Sequence, residues 1–316
     1  MNGLIGYTGF VGGCLRSQHE FAREFNQANI SEIAGSDFET LVCAAAPGSM
    51  LEANQDAERD RARMEVIAGH LASCTAKTVV LISTIAVLKD FRAQSEDAAA
   101  YEDAIAYGRN RRWLEEQVAD SSAKSLIVRL PALYGPNLKK NFLFDMLNPV
   151  PSMLKDDRMA ALREAVPSGL QDVLASVYSF RDDLNFWVLD RGLLNGLTEK
   201  SALDQVVNDH GFSAINFTNP NSEFQFYNMG RLWTDIQLGI AQGLPVLHLS
   251  PEPIRAGDIY EALTGNPMPD TAARVHTEDM RTGHGQIWDK AGPYGWNRAE
   301  VIAQLSEYMT GMGLRR

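Results

Sequence analysis

Short apolar runs alternate with amphipathic stretches along the first 141 residues. Residues 2 to 6 are apolar and end in glycine, the pattern of a buried strand, and a helix is expected from about 10 to 19. "FAREFN" reads as a short second strand. "TLVCAAAPG", residues 40 to 48, is an apolar run stopped by Pro47 and Gly48. A polar helix follows over about 52 to 75, where Met64, Ile67 and Leu71 recur at helical spacing. "TVVLISTIAVL", residues 78 to 88, is a β-branched run that predicts a strand covered on both faces. A helix is expected over 98 to 119, and "SLIVRLPALYG", 125 to 135, supplies the next strand and its exit loop. Strand and helix in strict alternation predict an α/β fold, a Rossmann-type, doubly wound parallel sheet.

Beyond residue 141 the pattern changes. Residues 142 to 210 read as mostly helical, interrupted by Pro149, Pro151 and Pro167. "SEFQFYNM" and "LPVLHLS" read as two strands joined by a helix near 229 to 242, "RAGDIYEALTG" as a helix closed by Gly265, and 297 to 312 as the last helix. The expected division is a nucleotide-binding domain over 1–141, with returning elements at about 222–250, and a smaller, mainly helical substrate region over 142–316. No linker rich in glycine or serine separates them, so the two are expected to share a cleft.

Composition narrows the function classes. The net charge of −11 argues against a nonspecific nucleic-acid binder. No apolar run is long enough for a membrane span, and the first residues lack the basic and apolar segments of a secretion signal, so a cytoplasmic protein is expected. Three widely spaced cysteines and six scattered histidines fit neither a disulfide framework nor a zinc site, and no metal is expected.

Candidate chemistry begins at "GYTGFVGG". Gly6, Gly9 and Gly12 stand at a strand-to-helix turn, where glycine lets a diphosphate approach the amides and the helix start faces it with free N–H groups. This G-x-x-G-x-x-G spacing resembles that of short-chain dehydrogenase/reductase proteins, especially the extended type acting on nucleotide sugars. Ala44, Ala45 and Ala46 resemble the family's small-residue strand end beside the adenosine ribose, and Ser83-Thr84 the strand end that carries its catalytic hydroxyl. Tyr107 and Arg111 are similar to its Tyr-x-x-x-Lys, with arginine in place of lysine. "VRLPALYGP", "EFQFYNMGRLWTDI" and "LHLSPEPIRAGDIYEALTG" extend the likeness over most of the chain, most weakly across 145 to 215.

Read without the family, Ala100, Ala104, Tyr107, Arg111, Leu114 and Val118 fall on one helical stripe. An arginine on a core face needs a partner. It is expected to face a cleft holding an anion, a ribose or the tyrosine oxygen; a structural ion pair is the plainer alternative. A cation beside Tyr107 favours its phenolate. The resemblance implies Tyr107 as acid/base, Thr84 (or Ser83) as the hydroxyl that orients a substrate oxygen, and Arg111 as the tuning charge. It places NAD or NADP against Gly6, Thr8, Gly9, Phe10, Val11, Gly12, Asn26, Ala44, Ala45, Ala46, Ser83, Pro131 and Leu133. It places substrate phosphates against Lys139, Lys140, Asn141, Arg255 and Arg281, and implies a homodimer through the helices 52 to 75 and 98 to 119.

The departures are informative. Ile85 and Ala86 stand where the family's dehydratases carry Asp-Glu, which excludes that acid–base pair. Only 31 residues separate Gly12 from Ala44, so the sheet is expected to be truncated on that side. Asn26 occupies the position of the ribose-binding carboxylate. No charge repels a 2′-phosphate there, and Arg16 or Arg23 could attract one. The expected function is an NAD(P)-dependent oxidoreductase or epimerase of a nucleotide-linked sugar, by keto reduction or epimerisation. The alternative is a non-catalytic NAD(P)-binding sensor or scaffold, favoured by the loss of lysine.

Overall fold

The computed structural model describes residues 1–121 and 124–314. Six parallel strands form the central sheet: β1 (Asn2–Ile5), β2 (Arg23–Phe25), β3 (Asp37–Cys43), β4 (Thr75–Thr84), β5 (Ser125–Leu130) and β6 (Val246–His248), in the order β6-β5-β4-β3-β1-β2. From β1 the chain goes to β2 on one side and then crosses to β3 on the other. The order therefore reverses between β1 and β3, the switch point where doubly wound sheets open a crevice at their carboxyl ends. A single short strand lies beyond β1, followed by a 3₁₀ turn at Ile30–Ile33, as the short spacing before Ala44 predicted.

Burial explains the strands. In β4 the first residues are partly exposed, and Val79 to Ser83 are then buried without a break, which requires cover on both faces. One face carries α2 (Met50–Gln55), α3 (Ala57–Ala72) and α4 (Ala106–Ser121), whose Met64, Leu71, Leu114 and Val118 pack on Ile5, Cys43, Leu81 and Ile127. Helices α1 (Phe10–Arg16) and α5 (Leu232–Ala241) also belong to this layered unit. Gly239 brings α5 so close to the sheet that a Cβ there would lie 2.9 Å from a Leu126 methyl.

Several boundaries differ from those expected. Residues 52 to 75 hold two helices because the Asp56 side chain accepts from Arg59 N at 3.0 Å and starts a new one. The helix expected from residue 98 begins at Ala106, so Ala100 and Ala104 lie outside it. Glu102 Oε1 accepts from the amides of Ala104 and Ile105 at 2.7 and 3.0 Å, which holds the chain out of the helix until that point. The strand expected over 125 to 135 breaks at Pro131, which has no N–H to donate. The chain resumes as Ala132–Tyr134, paired in parallel with Phe226–Asn228.

The chain folds into two compact units. The first comprises Met1–Leu138, Glu223–Ile254 and Thr277–Leu305; the second comprises Lys139–Ser222, Arg255–His276 and the chain from Ser306 onward. Segment 277–305, expected in the second region, joins the first. There Gln225 Nε2 donates to Met280 O at 2.7 Å, and Met280 N donates back to Gln225 Oε1 at 2.7 Å. The second unit has its own core of Leu154, Leu162, Leu174, Leu194, Leu203 and Val207. It is less helical than expected: Met153–Leu154, Tyr178–Arg181 and Phe186–Leu189 form an antiparallel sheet whose hairpin turns through Asn185 at φ 58°.

Candidate active site

The candidate site is built on strand ends of the first unit and on the start of α4. β1 ends in the glycine turn. Gly6 has φ +90°, and a Cβ there would lie 2.5 Å from Ala44 O; on Gly12 it would lie 2.1 Å from Gly6 O. These two glycines are thus required by the turn and by its contact with the end of β3. Gly9 is different. A Cβ there would meet only Gly6 O, at 3.4 Å, and φ is an ordinary −77°. Gly9 is the N-cap of α1 yet provides no side-chain cap, and the first turn of α1, which contains Phe10, Val11 and Gly12, carries no acidic residue. The turn therefore fits a diphosphate, with open space before Gly9, amides at a helix start and no carboxylate to repel an anion.

Asn26 follows β2. Its Nδ2 donates to the Tyr7 hydroxyl at 2.9 Å, and its Oδ1 accepts from Ala28 N at 2.8 Å. Arg23 is committed to Ser36 Oγ at 2.6 Å and to Glu32 O at 3.0 Å. Arg16 pairs with Glu24 at 3.0 Å, and its guanidinium lies 5.2 Å from the Tyr7 ring centre. Thr8 is exposed within the turn.

Tyr107 stands at the start of α4 because of its neighbour Gly108. A Cβ on Gly108 would sit 2.0 Å from Ala86 O, so only glycine lets the helix touch the turn that follows β4. This brings Tyr107 beside Thr84, whose Oγ1 also accepts from Ala86 N at 3.2 Å. Burial raises the Tyr107 phenol above its ordinary 10.0; Arg111 and Thr84 pull it down, Asp60 pushes it up, and burial prevails.

Arg111 does not reach into an open cleft. It is buried, and its Nη1 and Nη2 donate to Asp60 Oδ2 and Oδ1 at 2.6 and 3.0 Å. Nη2 also donates to Pro47 O at 2.6 Å, which ties α4 to the exit of β3 just past Ala44, Ala45 and Ala46. The physical reason is the general one for buried guanidinium: it needs a carboxylate and more than one acceptor. Asp60 stands four residues before Met64 on the apolar stripe of α3, a spacing that marks it as buried without marking its partner.

Ser83 is also placed differently from expectation. It is buried, on the opposite face of the strand from Thr84, and its Oγ donates to Glu115 Oε1 at 2.5 Å. Glu115 accepts from Arg129 as well, Nε to Oε1 at 3.0 Å and Nη2 to Oε2 at 2.7 Å. Arg129 Nη1 lies 3.2 Å from His248 Nε2, and His248 Nδ1 lies 2.8 Å from Arg281 O. Arginine can only donate, so Nε2 accepts, Nδ1 carries the proton, and His248 is neutral. Burial also lowers its pKa. This chain rivets the ends of β4, β5 and β6 together. Sequence reasoning missed it, although an arginine inside the apolar run "SLIVRL" was the available signal.

Pro131 is buried directly after Leu130, the register partner of Thr84, and Leu133 pairs with Tyr227. Arg281 pairs with Asp279 at 2.9 Å. The remaining expected substrate residues belong to the second unit. Lys139 and Lys140 are exposed, Asn141 accepts from Phe144 N at 3.2 Å as a helix cap, and Arg255 hydrogen-bonds the Asn221 side chain. A cleft of about 850 Å³ in the second unit is lined by Asp145, Arg158, Asn208, Tyr260 and neighbours, and by none of the expected site residues. The Tyr107–Thr84 pair of the first unit marks the candidate site. Among the described residues, no cluster of His, Cys, Asp or Glu could hold a metal.

The fold and this turn define a Rossmann-type α/β architecture. Solved structures share it along nearly the whole chain. dTDP-4-dehydrorhamnose reductase from Bacillus anthracis, in complex with NADP, covers 98% of this chain and 97% of its own, with TM-score 0.61 and 13% identity. UDP-glucose 4-epimerase from Thermotoga maritima, with UDP-glucose, covers 99% and 98%, with TM-score 0.59 and 10% identity. RMD from Pseudomonas aeruginosa, complexed with NADPH, covers 98% and 99%, with TM-score 0.59 and 12% identity. No protein-family model and no curated protein matches the sequence. At these identities the likeness establishes the fold.

Proposed function

We propose that this protein is an NAD(P)-dependent oxidoreductase or epimerase acting on a nucleotide-linked sugar, with keto reduction the favoured reaction. The observation that carries the reading is the adjacency of Tyr107 and Thr84 at the end of β4, in the same unit as a glycine turn open at Gly9. The shared fold with structures holding NADP and UDP-glucose supports it.

In this reading the turn from Gly6 to Gly12 holds the diphosphate of the coenzyme. Asn26 meets its ribose, Ala44 to Ala46 border the adenosine, and Pro131 and Leu133 border the ring. The coenzyme supplies or accepts the hydride. Thr84 orients the substrate oxygen, and Tyr107 Oη gives it a proton in reduction. Lys139, Lys140, Asn141, Arg255 and Arg281 are the proposed contacts for substrate phosphates. With Ile85 and Ala86 after Thr84, no side chain there can act as acid or base, so dehydration is not part of the proposal. A homodimer through α3 and α4 and a cytoplasmic location complete the reading; sedimentation tests the first and fractionation the second. No helix among the described residues is long and apolar enough to cross a membrane.

The experiment is titration with NADH and NADPH followed by assay on keto sugars linked to nucleotides. Binding is expected for at least one coenzyme, and Tyr107→Phe is expected to cut turnover by about 10²-fold or more while binding persists. A second reading, a coenzyme-binding protein without catalysis, is favoured by one observation: both terminal nitrogens of Arg111 are bound to Asp60. Binding without turnover of any such sugar would establish it.

A further inference from the structure

The ion pair behind Tyr107 has consequences for its proton. Asp60 and Arg111 have side-chain exposures of only 4% and 3%. Besides its two bonds to Asp60, Arg111 donates from Nη1 to Tyr107 O at 3.2 Å. Asn110 Nδ2 donates to the same carboxylate at 2.9 Å. Arg111 is thereby immobilised with its guanidinium carbon 3.9 Å from the centre of the Tyr107 ring. The charged groups acting on the phenol are Arg111, from its own helix, and Asp60, from α3. Burial is the largest influence on the phenol and keeps it protonated; Arg111 pulls the other way, and the Asp60 carboxylate offsets part of that pull, whereas an unpaired cation would draw out the phenolate more strongly.

We propose that Asp60 is a positioning residue that fixes Arg111 on the Tyr107 ring and offsets part of its charge, so that the buried phenol stays protonated and the site favours proton donation, hence carbonyl reduction. The inference rests on Tyr107 as the acid/base group of the proposed function. In the reduction, the carbonyl carbon accepts a hydride, which reduced nicotinamide supplies when bound. The π pair moves onto oxygen, the Tyr107 Oη–H bond breaks to protonate it, and the phenolate is reprotonated from water. The reverse step needs phenolate at the outset, which the compensated pair disfavours.

The test is an ultraviolet titration of Tyr107 ionisation in the protein without coenzyme, each protein read against its own Tyr107→Phe counterpart. Asp60→Asn strands the Arg111 charge beside the ring and is expected to lower the midpoint by about one pH unit. The double variant Asp60→Asn/Arg111→Gln, which removes both charges, is expected to return it to the starting value or above. Asp60→Glu, which keeps the charge, is expected to leave it unchanged. An unshifted Asp60→Asn, or equal shifts in the single and double variants, would overturn the proposal. If Asp60→Asn does not fold, a fall of the midpoint in either of the other two variants overturns it, and the absence of a fall in both supports it. Coenzyme binding is measured on the same proteins. Its absence would sink the proposed function while leaving the titration to judge the charge pair.

Discussion

A Cβ on Gly12 would press on the carbonyl of Gly6, whereas a Cβ on Gly9 would find ordinary contact distance. The two positions are equivalent in the sequence motif, and their surroundings separate them: the turn itself requires glycine at 12 and not at 9. Gly12→Ala is expected to destabilise the protein by roughly 2–3 kcal/mol in denaturant melts, because backbone must move. Gly9→Ala, at the N-cap of α1, is expected to cost only about 1 kcal/mol and to lose NAD(P)H affinity, read by coenzyme fluorescence. Undiminished affinity would remove the turn from the site. The same separation applies to side chains. The contact between Tyr107 and Thr84 was legible from a motif and a strand end. Ser83 was not, since a hydroxyl at a strand end is equally suited to a ligand or to Glu115, and only the opposite carboxylate decides.

Helix α4 is placed by its first turn. Glu102 holds the preceding chain out of the helix, and Gly108 then lets it lean on Ala86. Gly108→Ala should therefore displace Tyr107 from Thr84. The expected outcome is a loss of about 1–3 kcal/mol in stability together with a fall in turnover larger than the change in coenzyme affinity. Equal losses in both would mean the helix start does not position the phenol. Periodicity located this helix because half its faces are buried, but it started the helix eight residues early. A small-residue run such as Ala98 to Ala100 is compatible with helix, and a carboxylate capping from Glu102 leaves no pattern in hydropathy. The hairpin at Tyr178–Leu189 was missed for a related reason: apolar residues in a run too short to show its period fit either structure.

At the scale of the molecule, the second unit has a pH dependence of its own. Burial raises the Asp145 carboxyl from its ordinary 3.8 to about 7, against the opposing charge of Arg191. Between these values the folded chain keeps a proton that the unfolded chain has lost. Stability is therefore expected to fall as pH rises from about 4 to about 7 and to level off above. Asp145→Asn should flatten that slope and raise stability at pH 8 by on the order of a few kcal/mol, measured by denaturant titration across the range. A slope unchanged in the variant would assign it to other groups. The layered α/β architecture, the truncated edge beyond β1 and the glycine turn followed from the sequence alone, because strand and helix periods and the spacing of glycines are local properties. The partner of Arg111, the burial of Ser83 and the return of 277–305 to the first unit were decided only in three dimensions. Asp60 lies 51 residues from Arg111, and a period tells which face of a helix is covered without telling which charge covers it.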